Sequence, residues 1–103
     1  MITNALVPTS GVDLIVATTN QNLAVVFVGI CNYGGVAATV DIHVVPNGQT
    51  YGNQTKIVAS RSLNANDSIF IDTLKILLTG GDKVTIVGSV SGTLNATASY
   101  MQI

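Results

Sequence analysis

The chain predicts an all-β fold, a two-sheet antiparallel β-sandwich of jelly-roll or immunoglobulin-like type with about seven or eight strands. Runs of Val, Ile and Thr are cut by Gly, Asn, Pro and Ser at spacings near a dozen residues, and this is how short strands joined by turns read. No segment carries an apolar stripe of helical period. The 103 residues hold nine charges, no Glu and no Trp, while 48% are hydrophobic, so the chain has far more material for packing than for chemistry.

Taken in order, strands are predicted over 2–7, 12–18, 22–32, 36–45, 55–63, 68–73, 83–90 and 93–102. Residues 1–10 form an N-terminal arm or edge strand, because Pro8 and Gly11 interrupt the first apolar run. Residues 11–103 form the single sandwich domain. Along 23–31, alternation places Leu23, Val25, Phe27 and Cys31 on one face and Ala24, Val26, Val28 and Ile30 on the other. Both faces are apolar, so this strand is expected to be covered twice, by the core and by another segment or subunit.

Gly34-Gly35 reads as a two-residue hairpin turn that would make 22–32 and 36–45 antiparallel neighbours. In 36–45, Val36, Ala38, Val40, Ile42 and Val44 share one face. Thr39, Asp41 and His43 lie on the other, with Ala37 and Val45, and give that strand a wet side. The segment from Pro46 to Gln54 is the longest polar, glycine-containing stretch and reads as an exposed loop.

Composition excludes several classes of function. A net charge of −1 with four dispersed basic residues lacks the footprint that phosphate neutralisation requires, so nucleic acid is not an expected partner. The longest apolar run, Leu23 to Cys31, is about half of a bilayer-spanning helix, and no membrane partner is expected. Met1 to Pro8 has no Lys or Arg and breaks at Pro8, unlike a secretory signal, so the expected place of synthesis and assembly is the cytoplasm.

Catalysis and cofactors are not expected either. His43 is the only imidazole and Cys31 the only thiol. His43 reads as a hydrogen-bonded surface residue near Asp41, and Cys31 as a buried, unreactive thiol. One His and one Cys do not make a zinc site. Asp67, Asp72 and Asp82 lie in or beside turns, where capping aspartates are the expected role rather than calcium ligands. The Asn-x-Ser/Thr triplets at Asn53, Asn66 and Asn95 are read as polar β residues. No metal, cofactor or enzymatic activity is predicted.

A short repeat recurs fifteen residues apart. Leu63-Asn64-Ala65-Asn66-Asp67-Ser68-Ile69-Phe70-Ile71 aligns with Leu78-Thr79-Gly80-Gly81-Asp82-Lys83-Val84-Thr85-Ile86. Each copy sets an apolar residue before a small turn-prone triplet, then an Asp, then an alternating strand.

The layout resembles small β-sandwich virion proteins of tailed bacteriophages, particularly those of marine cyanophages. The resemblance lies in the Val-rich strand, the Cys31-Asn32-Tyr33-Gly34-Gly35 turn, the strand ending Val44-Val45-Pro46, the polar loop, and the Leu63–Asp67 and Leu78–Val84 motifs. It spans about residues 22–90, and the Leu94–Tyr100 segment also fits. The first motif reads Ala65-Asn66-Asp67 where the pattern has glycine-aspartate.

What the resemblance implies is a virion structural protein, assembled in the host cytoplasm. The first expectation is a capsid decoration protein that cements the head. A neck, tail or fibre component, or a host-surface carbohydrate-binding module, is the alternative. Expected partners are further copies of the chain, as a trimer, and other virion proteins such as the major capsid protein, with a glycan as a lesser candidate.

The candidate assembly contacts are Ile2 and Leu6 from 2–7, and Val26, Val28 and Ile30 from 22–32. The candidate exposed-loop contacts are Asn47, Gln49, Tyr51, Asn53 and Gln54, an aromatic ring among amides. Tyr100 is expected in the core or at a subunit interface, and Tyr33 at a turn.

Overall fold

The computed structural model describes residues 1–71 and 76–103. Among the described residues nine strands are formed: β1 (Ile2–Leu6), β2 (Val12–Val16), β3 (Asn22–Asn32), β4 (Ala38–Val45), β5 (Lys56–Leu63), β6 (Asp67–Ile71), β7 (Ile76–Thr79), β8 (Lys83–Gly88) and β9 (Leu94–Gln102). One sheet has the order β1-β9-β3-β6, with β7 also paired to β3, and the other has β2-β8-β4-β5. All pairings are antiparallel. With β7 set aside, the first strand pairs with the last, the second with the second-last, and so inward, which is the nested order of a jelly roll.

The core lies between the sheets. Leu23, Val25, Val28 and Ile30 of β3 and Leu94, Ala96 and Ala98 of β9 face Val40 and Ile42 of β4 and Val84 and Ile86 of β8. The small Ala96 and Ala98 leave room for the larger side chains opposite, as interdigitated packing requires.

Three sequence expectations are corrected here. First, β3 and β4 are not hairpin neighbours: they belong to different sheets, and residues 33–37 cross between them. The pivot is Asn32, wholly buried. Its Nδ2 donates to Val36 O (2.9 Å) and Leu63 O (3.1 Å), while its Oδ1 accepts the Gly34 amide (3.1 Å). A buried amide must be satisfied by protein, and here it ties the crossing segment to β5. Val36 accordingly lies outside β4 and is exposed.

Second, β3 carries a register shift between Val25 and Phe27 against β9. The extra residue, Val26, reverses the alternation. Leu23 and Val25 face the core before it, and Val28, Ile30 and Asn32 after it, so Phe27 and Cys31 turn outward. Cys31 is therefore half-buried on the outer face, not sealed in the core.

Third, Ile76–Thr79 is a strand of its own, too short to stand out beside the turn motif that follows. The predicted strand 68–73 is β6 as far as Ile71, and Asp72 and Thr73 lie outside the described residues.

The repeat is one turn used twice. The Asp67 amide donates to Asn64 O (3.1 Å) and the Asp82 amide to Thr79 O (2.8 Å). The residue just before each Asp has positive φ, 61° at Asn66 and 92° at Gly81. Asn and Gly are the residues that tolerate this conformation most readily.

Candidate functional site

The two outward sheet faces differ sharply. On the four-stranded sheet, Asp13 of β2, Thr85 of β8, His43 of β4 and Lys56 of β5 stand side by side across the strands. Asp13 accepts a hydrogen bond from Thr85 Oγ1 (2.8 Å) and pairs with Lys83 (3.4 Å). Asp41 accepts the Ser60 amide and pairs with Lys56 at 3.9 Å. Among the described residues the ion pairs of these strands are Asp13–Lys83 and Asp41–Lys56, and Arg61 is exposed on the edge strand β5.

The loop 46–55 folds over this face, which corrects the surface assignment of His43. The imidazole is 1% exposed, with the Tyr51 ring 4.9 Å away between centroids and Nδ1 2.8 Å from Thr55 Oγ1. That hydroxyl donates to Gly52 O and accepts the Gly52 amide. The direction of its bond to Nδ1 follows the tautomer of the ring. Burial lowers the His43 pKa; nearby Asp41 works in the opposite direction. The wet side of β4 is thus roofed by its own loop, with Val45 sealed beneath it.

Of the loop candidates, Asn47, Gln49, Asn53 and Gln54 are exposed. Tyr51 has a second task, since its hydroxyl donates to Ser10 O (3.1 Å) and its ring lies over Gly11. Beside it is an open cleft of about 300 Å³ lined by Ser10, Gly11, Asp13, Thr50, Tyr51, Lys83 and Thr85. Asp82, at the end of the second repeat, holds the loop's start: its carboxylate accepts the amides of Asn47 and Thr79 and the Thr79 hydroxyl. These bonds to the charged form lower its pKa.

The outer face of the five-stranded sheet has no charged side chain among the described residues. Row by row it presents Leu6, Asn95, Cys31 and Ser68; then Asn4, Thr97, Gly29 and Phe70; then Ile2, Ser99 and Phe27; and last Met101, Ala24 and Leu77. Ile2, Leu6, Phe70 and Leu77 are 74%, 62%, 69% and 66% exposed. Phe27 and Phe70 stack with centroids 5.8 Å apart, above Gly29, where an added Cβ would fall 2.8 Å from the Phe27 ring and 3.1 Å from the Phe70 ring. A shallow groove of about 220 Å³ runs beside them, also lined by Ile30, Cys31, Asn95 and Thr97.

Of the predicted assembly contacts, Ile2, Leu6 and Val26 are exposed on this side of the molecule. Val28 and Ile30 are 1% exposed and belong to the core, because the bulge at Val26 turns them inward. Phe70, Leu77 and Met101 were not among the sequence candidates. The signal for Phe70 was present: flanked by Ile69 and Ile71 in a strand, it must face opposite to both.

No family model and no curated protein matches this chain. Among solved structures it is similar to a chain from a structure of infectious bursal disease virus, Gx strain. The identity is 14% and the TM-score 0.40, over 98% of this chain and 29% of that chain. A likeness of that size carries no argument about what this chain does.

Proposed function

We propose that this chain is a virion structural protein of a tailed bacteriophage, and specifically a capsid decoration protein that docks through the outer face of its five-stranded sheet. The observation that carries the reading is the uncharged, apolar character of that face, with large side chains left in water. Four strands abreast and an eleven-residue central strand span on the order of 700 Å², at about 4.8 Å between strands and 3.3 Å per residue. Each partner in a standard stable interface contributes ~800 Å².

The occupant that fits is an uncharged apolar surface of the capsid lattice. A charged partner would lose its hydration there and find no opposite charge in return. Burying a side chain such as Phe70 or Leu77 contributes about 1.5–3 kcal/mol, and the gain recurs at every lattice position, so many small contacts brace the shell. Contacts of this kind weaken little as salt rises. The jelly roll agrees with the proposal without deciding it, since shell proteins and sugar-binding lectins share that architecture.

The test is the number of copies per purified particle, counted by quantitative mass spectrometry before and after a wash in about 1 M salt. Decoration predicts hundreds of copies, retained through the wash. Copies in threes, sixes or twelves would move the protein to the neck, tail or a fibre, and its absence from the particle would overturn the reading. The cleft beside Tyr51 favours carbohydrate binding as the second reading, because it sets an aromatic edge next to a carboxylate, an ammonium and hydroxyls. On that reading Tyr51→Ala abolishes glycan binding while particle assembly survives.

A further inference from the structure

The four sheet edges are not equivalent. β2 has a register irregularity between Asp13 and Ile15 and carries a carboxylate. β5 has two irregularities against β4, a left-handed residue at Ser60 (φ 50°), and both Lys56 and Arg61. On the far side of the five-stranded sheet, β6 opens with Asp67 and β7 is only four residues long. Bulges, charges and brevity are the usual devices that stop an open edge from pairing with another chain. β1 has an unbroken register against β9 from Ile2 to Leu6 and no charge, proline or bulge.

The hydrogen bonds at its two ends show which backbone groups are free. The Val7 amide donates to Leu94 O, and the Tyr100 amide donates to Met1 O. In an antiparallel ladder these roles alternate. Thr3 and Ala5 therefore turn their N–H and C=O toward β9, while Ile2, Asn4 and Leu6 turn theirs to the open edge. The side chains of these same three residues all lie on the uncharged outer face, where Ile2 and Leu6 are among the most exposed apolar residues of the protein.

We propose that β1 pairs with β1 of a second copy, antiparallel and in a single register, across a two-fold axis at Asn4. In that register Asn4 faces the partner's Asn4, and Ile2 faces the partner's Leu6 on each side of the axis. All the free backbone groups of Ile2, Asn4 and Leu6 are then satisfied, and each exposed apolar side chain gains an apolar cross-strand neighbour. A shift by one residue would set free groups against occupied ones and send the side chains to opposite faces. A shift by two would leave one of the three residues unpaired. The occupant is a second copy because the edge is self-complementary, as a two-fold contact requires.

The axis stands perpendicular to the sheet, so the outer faces of the two copies lie in one plane. This consequence rests on the docking reading for its use, since it doubles the flat surface offered to a lattice; the pairing itself stands on the edge alone.

The test is light scattering after size exclusion on the full chain, as wild type, Asn4→Lys, Asn4→Asp, and an equimolar mixture of the two variants. The wild type is expected to be a dimer. Each variant alone places like charges opposite each other at the axis and is expected to weaken the dimer by at least ~100-fold. The mixture should restore dimers, which a misfolded variant would not do. A monomeric or trimeric wild type, or dimers indifferent to Asn4→Lys, would overturn the proposal. Phe70→Asp, remote from the axis, separates the two readings: it should leave the dimer intact whether or not it abolishes attachment to particles.

Discussion

His43 is a titratable group that the fold holds away from water, and its environment sets a measurable pH dependence. The Thr55 hydroxyl is hydrogen-bonded to Nδ1, and Tyr51 covers the ring. Burial, the main cause, lowers the pKa from the ordinary 6.5, so the folded protein binds this proton less readily than the unfolded chain does. The sign follows: the contribution to stability is complete above the ordinary histidine range and is lost as the pH falls below about 6.5. Urea midpoints should decline from about pH 7 to pH 5, and His43→Gln should flatten that slope whatever it does to the stability at pH 7. An unchanged slope in the variant would show that the imidazole does not feel its burial. The lowered pKa of Asp82 acts in a separate, more acidic window: its contribution is present above the ordinary carboxylate value of 3.8 and fades as the pH falls below it.

Turns and strands show which parts of the fold were legible in the sequence. In the second repeat, Gly81 has φ of 92° and its missing Cβ position is filled by the Asn47 side chain, whereas a Cβ on Gly80 would meet only ordinary contacts. Gly81→Ala should therefore cost about 1–3 kcal/mol from backbone strain and displacement of the Asn47 loop, and Gly80→Ala much less. Thermal melts of the pair check this, and equal losses would mean that the turn can rearrange. The strands were legible because β-branched residues and alternation mark them, and the repeat because Leu and Asp bracket each turn. The crossing at 33–37 was not, because a Gly-Gly pair reads the same in a hairpin as in a link between sheets, and the deciding bonds of Asn32 reach residues far along the chain. The bulge at Val26 left no mark in a run where every residue is apolar. That single extra residue placed Val28 and Ile30 in the core and brought Phe27 and Cys31 to the surface, so the candidate face was legible only at Ile2, Leu6 and Val26. His43 was misread for a related reason: alternation set it on the outer face, and only the path of the loop 46–55 shows that this face is roofed.

Among the described residues, the charges within strands gather on one sheet, with Asp67 at the start of β6 the exception. Asp13, Asp41, Lys56, Arg61 and Lys83 all belong to strands of one sheet, and the outer face of the other sheet carries none among the described residues. The polar side is closed by its own loop and ion pairs, and the apolar side is left open with stacked rings on it. Sorting of this kind leaves a protein with one face for water and one for a partner. The measurement that tests this most directly is the equilibrium binding of the full chain to capsids assembled without it, comparing wild type with Phe70→Asp on the apolar face and Arg61→Asp on the charged sheet. Phe70→Asp should weaken attachment by at least ~30-fold, from lost apolar burial and a carboxylate forced into the contact, while Arg61→Asp changes it by less than about threefold, as an exposed charge remote from the contact should. Attachment that survives Phe70→Asp and fails with Arg61→Asp would contradict the account and assign docking to the charged sheet.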